Sequence, residues 1–288
     1  MQKTLSDNAT TQKINDNVIE FKTKQRKPGI IWVSDAHFDS DKCEIGFLHS
    51  VLKKYPDDYI VIGGDSIDVM QGRNDKRAMK GGKFNRPDYF NEVAEYVKKE
   101  IRDKYEHRII AWLRGNHDNS IIRMQEIDLI KHIARDTPTG DTSGYIVVGL
   151  ERAKGYYART VIYYSHIPIS GGSRSKGMLS VDIIRGKYPD ASVYISEHIH
   201  NSWVHPEYKE KFLMQSLRPV QELQWFVQNT TLKDEFKGER NHFYHEKIKA
   251  GPQVVGVIRL TFELLRSKNQ IETKNVMVNM PEIIVKRD

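Results

Sequence analysis

Along the chain, short runs of apolar residues alternate with stretches whose apolar positions recur every three or four residues, so the sequence reads as an α/β protein. The runs Gly29–Ser34, Tyr59-Ile60-Val61-Ile62 and Arg108–Leu113 are apolar at nearly every position and predict strands buried on both faces. Between them, Ile45, Leu48 and Leu52, widened by Phe47 and Val51, predict an amphipathic helix over Cys43 to Tyr55, and a second helix is predicted from Asn91 to Tyr105. Further on, the pattern predicts a helix from Ile121 to Ala134, strands at Tyr145–Leu150 and Thr160–Ser165, a helix at Val181–Lys187 and a short strand at Ser192–Ser196. Val254–Leu264 and Ile271–Asn279 read as an antiparallel hairpin turned at Ser267-Lys268-Asn269. Residues 1–27 are polar, carry mixed charge without a period, and predict a loose lead-in.

One feature of this pattern exceeds what packing requires. Five of the apolar strands run directly into a short polar cluster containing Asp, Asn or His. The clusters are Asp35-x-His37, Gly64-Asp65-x-x-Asp68, Gly115-Asn116-His117-Asp118, His166, and His198-x-His200. Together they supply four carboxylates, one amide oxygen and five imidazoles at strand ends, where open α/β sheets place their ligands. Taken singly, each has an ordinary reading. Asp65 and Asp68 suit turns after Gly-Gly, Asn116 suits a helix N-cap, and His166 suits a hydrogen-bonded core position. An ordered set of metal-type residues at every one of these ends is not explained that way.

The donors are oxygen and nitrogen without thiolate, which suits Mn²⁺, Fe or Zn²⁺ better than Ca²⁺. Two divalent ions roughly 3.5–4 Å apart would acidify a bridging water and clamp a phosphoryl group, the two requirements for hydrolysing a phosphate ester. At this point the chain resembles the calcineurin-like metallophosphoesterase superfamily, whose motif series (D-x-H, G-D-x-x-D/H, G-N-H-D/E, a lone His, then G-H-x-H) appears in the same order from Asp35 to His200.

The resemblance implies a four-layer α/β/β/α sandwich of two mixed sheets, formed by residues 28–288 as a single domain with insertions around 71–90 and 205–250. It implies two divalent ions, Mn²⁺ foremost, with Fe, Zn²⁺ or Mg²⁺ as alternatives. Asp35, His37 and His200 would hold the first ion, Asn116, His166 and His198 the second, and Asp65 would bridge them. His117 would protonate the leaving oxygen while a metal-bridging hydroxide attacks phosphorus in line, with Asp68 orienting His117 and Asp118 as a supporting acid. In one place the chain departs from the series: Glu197 stands where the family has Gly before the last His-x-His. Its carboxylate is expected to crowd the turn, add a charge behind the ligands, or point outward.

Composition narrows the substrate. A formal net charge of +7 favours phosphate-bearing partners through long-range steering. Arg73, Lys76, Arg77 and Lys80 follow Asp68, and Arg174 and Lys176 lie in the Gly-rich stretch after His166, so Arg73, Arg77 and Arg174 are candidate substrate contacts. That Gly-rich stretch fails the phosphate-loop order, since its Lys precedes the final Gly and no Ser or Thr follows. His242-Phe243-Tyr244-His245-Glu246 lacks a partner for a second metal site and reads as a solvated or packing segment.

With Phe38, Tyr163, Tyr164 and Trp203 as stacking surfaces near the cleft, the expected activity is a phosphodiesterase or nuclease on DNA or RNA. The segment Phe226–Leu260 is loosely similar to the end of phosphoesterases encoded by phages and bacteria. The alternative is a phosphomonoesterase, cyclic-nucleotide or nucleotide-pyrophosphate hydrolase. A phosphoprotein substrate fits less well, because Asp68-Val69-Met70 lacks the Arg-Gly of the protein-phosphatase group. A non-catalytic scaffold is the remaining reading. Cys43 is the only cysteine, which excludes an internal disulfide, and the N-terminus has no apolar leader, so a cytoplasmic protein that does not engage membrane is expected.

Overall fold

The computed structural model describes residues 2–6, 8–68, 84, 88–166, 180–214, 217–234, 254–265 and 276–286. They form a mixed α/β structure with two mixed sheets. The first is 8-stranded, in the order β1 (Gln2–Ser6), β2 (Ala9–Asn15), β3 (Val18–Thr23), β8 (Ser143–Ala153), β9 (Tyr156–Ser165), β10 (Val193–Ser196), β12 (Arg218–Gln228) and β11 (Trp203–Leu213). The second is 7-stranded, in the order β14 (Val276–Val278), β13 (Gly256–Leu264), β4 (Gly29–Val33), β5 (Tyr59–Ile62), β6 (Ile109–Leu113) and β7 (Thr139–Gly140), with β15 (Glu282–Val285) also on β13. Neighbours from β4 to β7 run parallel, as do β9, β10 and β12, so their C-terminal ends can gather at one place.

Side-chain alternation decides what each face of β4 meets. Ile30 and Trp32 join a core shared with Val61, Leu260 and Phe262 of their own sheet and with Phe21, Ile146, Ile162, Val193 and Val227 of the other. Ile31 and Val33 point the opposite way and pack with Leu48 and Leu52 of α1 (Ile45–Lys54), Val93 and Val97 of α2 (Tyr89–Val97), and Ile133 of α5 (Leu129–Ala134). Each such fully buried side chain contributes about 1.5–3 kcal/mol. A slip of one residue in the Ile30↔Tyr59 register would exchange the two sets and turn over the loop that begins at Ser34. On the outer face of the first sheet, Tyr163, Tyr194 and Phe226 cluster with Ile184 of α6 (Ser180–Lys187), and the Tyr194 and Phe226 rings stack at 4.4 Å.

The predicted elements recur with shifted ends. The helix expected from Asn91 to Tyr105 is α2 continued by a π-helical segment (Lys98–Arg102) and a short turn, α3 (Asp103–Tyr105). The helix expected over Ile121 to Ala134 is two helices, α4 (Asn116–Gln125) and α5, separated where Glu126 takes φ 56° and Asp128 caps the next helix by accepting from Lys131 N at 3.0 Å. The late hairpin pairs Phe262 with Val278, and its proposed turn lies outside the described residues.

The N-terminal reading needs correction. Residues 2–23 are not a loose lead-in but supply β1, β2 and β3, with β3 parallel to β8. Ile19 and Phe21 are buried on alternate positions, but Thr11 and Thr23 fill equivalent inward sites. Thr11 is tolerated there because its hydroxyl donates to Ile110 O at 2.8 Å, so a polar letter occupies a core position and hides the period. Residues 205–213 and 218–228, read as part of an insertion, form most of the antiparallel pair β11 and β12. No helix among the described residues is long and apolar enough to cross a membrane.

Candidate metal centre

Asp35 and His37 follow β4, Asp65 follows β5, and Asn116 follows β6. His166 follows β9, and His198 and His200 follow β10. The first four come from one sheet and the last three from the other, so the site straddles both. Glycines let the strand ends meet. A Cβ on Gly64 would strike the His166 ring and lie 2.8 Å from Gly115 Cα, and one on Gly115 would strike Asp65.

The backbone itself marks these loops. Asp35, His37, Asp65, His198 and His200 all have φ between 45° and 74°. Asp and His enter this region more readily than most residues, yet each such placement costs about 1–3 kcal/mol and persists only where its surroundings enforce it. Here the enforcement is visible. Asp35 N donates to Gly64 O at 2.9 Å, His37 N to Asp65 O at 3.2 Å, and His198 N to Asp35 Oδ2 at 3.2 Å. Asp35 O accepts from Thr231 Oγ1 at 2.8 Å and from Leu232 N at 3.2 Å.

Three groups of side chains converge closely enough to share an ion: Asp35, His37 and His200; Asp65, His166 and His198; and His37, Asp68 and His117. In the first group His200 Nε2 lies 3.1 Å from Asp35 Oδ1. In the second, His166 Nε2 lies 3.0 Å from Asp65 Oδ2 and 3.2 Å from Asn116 Oδ1, which brings Asn116 to the same point. The Nε2 of His37 is buried without a hydrogen bond among the described residues, while Nδ1 faces Asp68 Oδ1 at 2.8 Å. A buried ring nitrogen left without a partner costs stability unless something else takes its lone pair, and a divalent cation is such a group. The donor set therefore fits a hard or borderline ion.

Electrostatics agree. Burial works against the charged form of Asp35, yet His200, His166 and His37 hold its carboxyl well below the usual range. Burial likewise pulls His166 down, but Asp65 and Asp35 outweigh it and leave the imidazole well above its ordinary value. Asp118 is the opposite case: burial first, then repulsion from Asp65, pushes it up to about 7. Its Oδ2 accepts from Asp65 N at 2.9 Å and Gly115 N at 2.8 Å, tying α4 to the Asp65 loop, while Gly115 rather than Asn116 is the N-cap.

The geometry around His117 differs from the expectation in one respect. Its Nδ1 lies 2.9 Å from the main-chain oxygen of Asp68, and a carbonyl only accepts, so Nδ1 carries the proton and Nε2 is left 3.8 Å from Asp65 Oδ2. The Asp68 carboxylate, at 3.6 Å from His117 Nδ1, is drawn instead between His37 and Lys233. Lys233, itself buried, donates to Asp68 Oδ2 at 2.7 Å.

Lys233 was not legible as a site residue, nor was the buried stretch Asn229-Thr230-Thr231 before it. A signal existed: β12 also runs into a polar cluster, Asn229-Thr230-Thr231, which holds an Asn. The aromatic surface also needs correction. Phe38, Tyr163 and Tyr164 are buried in the cores and offer nothing to stack on, while Trp203 is half-buried. Arg73, Arg77 and Arg174, with the remainder of the two basic stretches, lie outside the described residues, as does His242–Glu246.

No model of a known protein family matches the chain, and no curated protein does. Among solved structures, GAP50, the anchor in the inner membrane complex of Plasmodium, is similar at 9% identity and a TM-score of 0.40, covering 91% of this chain and 90% of that one. A protein of unknown function from Aquifex aeolicus is similar at 20% identity and a TM-score of 0.30, covering 60% of this chain and 80% of that one. Likenesses at this level carry no inference about this chain.

Proposed function

We propose that the protein is a binuclear metal-dependent phosphoester hydrolase, a phosphodiesterase whose substrate class is nucleic acid. The observation that carries the reading is the convergence of Asp35, His37 and His200 beside Asp65, His166 and His198 at the joined ends of the two sheets. In this reading Asp35, His37 and His200 would hold one divalent ion and Asn116, His166 and His198 a second, with Asp65 as a ligand available to either. When bound, two such ions supply a water acidic enough to attack phosphorus at neutral pH and positive charge to offset the phosphoryl oxygens.

The chain's own residues supply the rest. His117, with Nδ1–H held by the Asp68 carbonyl, presents Nε2 toward Asp65 and, once protonated, delivers a proton to the departing oxygen. The Asp68 carboxylate, fixed by Lys233, adds negative charge near both His37 and His117. Helices grouped with one sheet through Leu48, Val93 and Ile133, and with the other through Ile184, support a four-layer α/β/β/α sandwich as the full architecture.

Nucleic acid as substrate rests on the +7 charge. A smaller substrate is favoured by one observation, the burial of Phe38, Tyr163 and Tyr164, which removes three stacking surfaces. The test is hydrolysis of bis-p-nitrophenyl phosphate and p-nitrophenyl phosphate side by side, with Mn²⁺ and then with EDTA. Chelator-sensitive preference for the diester supports the reading and leads to DNA and RNA substrates. Preference for the monoester moves it to the small-substrate alternative, and silence on both with ions bound removes the catalytic assignment.

A further inference from the structure

Glu197 is the residue at which the chain departs from its motif series, and it is fully buried, 0% exposed. A carboxylate without water needs donors, and it has them. Oε1 accepts from Trp32 Nε1 at 2.6 Å, and Oε2 accepts from Gly64 N at 2.9 Å. The same Oε2 lies 2.9 Å from His166 Nδ1. Room for this side chain is made on the opposite strand end: a Cβ on Gly63 would collide with the Glu197 carboxylate and lie 2.7 Å from Ser34 Cβ. The substitution at 197 is thus matched by Trp32, Gly63 and Gly64, all from the other sheet.

The contact to His166 has a chemical consequence. A carboxylate accepts, so the His166 Nδ1 carries a proton, and Nε2 is the nitrogen directed at Asp65 Oδ2 and Asn116 Oδ1. A histidine ligand is useful only if the nitrogen facing the ion is unprotonated, and a carboxylate behind the other nitrogen both fixes that tautomer and makes the ring a better donor.

We infer that Glu197 is a positioning residue for the Asp65–Asn116–His166–His198 site, holding His166 with Nε2 toward the ion and supplying negative charge behind it. The inference rests on the metal reading above. The contact belongs to one of the two proposed ions: Glu197 touches His166, whereas in the other group the Nδ1 of His37 faces the Asp68 carboxylate at 2.8 Å.

The test is titration of chelator-stripped full-length protein with Mn²⁺, following free ion by electron paramagnetic resonance and heat by calorimetry. Wild type is expected to bind two ions. Glu197→Gln should weaken one of them by about 10–100-fold and leave the other within a few-fold. Glu197→Asp, which keeps the charge but withdraws it from His166, should give a smaller loss on the same ion and serves if the Gln variant does not fold. Thermal melting of the stripped proteins separates a structural role, since a drop in Tm with both affinities unchanged overturns the inference. Equal weakening of both ions overturns it as well. Wild type that binds no Mn²⁺ overturns the metal reading itself, a result distinct from either.

Discussion

Replacing Lys233 by Met tests whether the buried Lys233–Asp68 pair is a structural keystone of the candidate centre. Met preserves most of the volume and removes the charge together with its hydrogen-bond donor. Asp68 is buried, and its Oδ2 would lose a donor at 2.7 Å. Removing one member of a buried ion pair costs about 3–5 kcal/mol, because the remaining charge stays desolvated. Burial pushes the Asp68 carboxyl up, while His37 and then Lys233 pull it below its ordinary value, and His37 remains in the variant. The lower end, about 3 kcal/mol, is therefore expected. With a urea m-value of about 3 kcal/mol/M, the unfolding midpoint should fall by about 1 M. The assay is urea unfolding of the metal-free protein, with Asp68→Asn and the double variant completing a cycle. Once Asp68 is neutral, losing Lys233 should matter little, so the double variant should recover most of the deficit. A single variant within about 1 kcal/mol of wild type, or strictly additive losses, would refute the reasoning.

The other expectations concern the proposed centre. His117→Ala should lower turnover by roughly 10²–10⁴-fold with metal content nearly intact, measured by steady-state hydrolysis alongside elemental analysis; full activity with unchanged metal dependence would remove its role as acid. Asp65→Ala should lose both ions, and a variant that retains two would exclude a shared ligand. Because Asp65 and Asp35 hold His166 above its ordinary value against burial, the stripped protein keeps a proton there that a bound ion must displace. Mn²⁺ affinity should thus rise between pH 6 and pH 8 with net proton release, read by calorimetry in buffers of different ionisation enthalpy; pH-independent affinity would contradict that arrangement.

What could be read from the sequence follows from burial. Strands β4, β5, β6 and β10 are apolar on both faces, so their letters announce them and the polar residues at their ends stand out. Strands β1 to β3 were missed because one face is solvated and the inward face uses Thr11 and Thr23 beside Ile19 and Phe21. The ligand candidates were legible because Asp, Asn and His were looked for. Lys233 and Thr231 act by donating to Asp68 and Asp35, and such supporting roles have no residue type of their own, while Asn229, which donates to Ser34, is of a type that was looked for and was passed over. Phe38, Tyr163 and Tyr164 failed as surface residues for a simpler reason: both faces of β9 are covered, so Tyr163 packs with Ile184 and Tyr164 with the core between the sheets, and Phe38 beyond β4 joins the helix-side core. Glu197 was noticed only as an irregularity, since its partners Trp32, Gly64 and His166 are distant in sequence.

The placement of the candidate ligands on both sheets has a mechanical consequence. Asp35, His37, Asp65 and Asn116 are anchored in one sheet, and His166, His198 and His200 in the other. Any ion held by members of both sets is a rivet through two slabs that otherwise meet through a broad apolar core, which resists separation but tolerates small sliding, and a few hydrogen bonds such as those of Thr11 to Ile110 O and Trp32 to Glu197. Loading at a hundredfold excess over Kd would add about 2.7 kcal/mol of resistance to unfolding. It would also fix the lateral alignment of the slabs, so that misalignment and ion loss become one event.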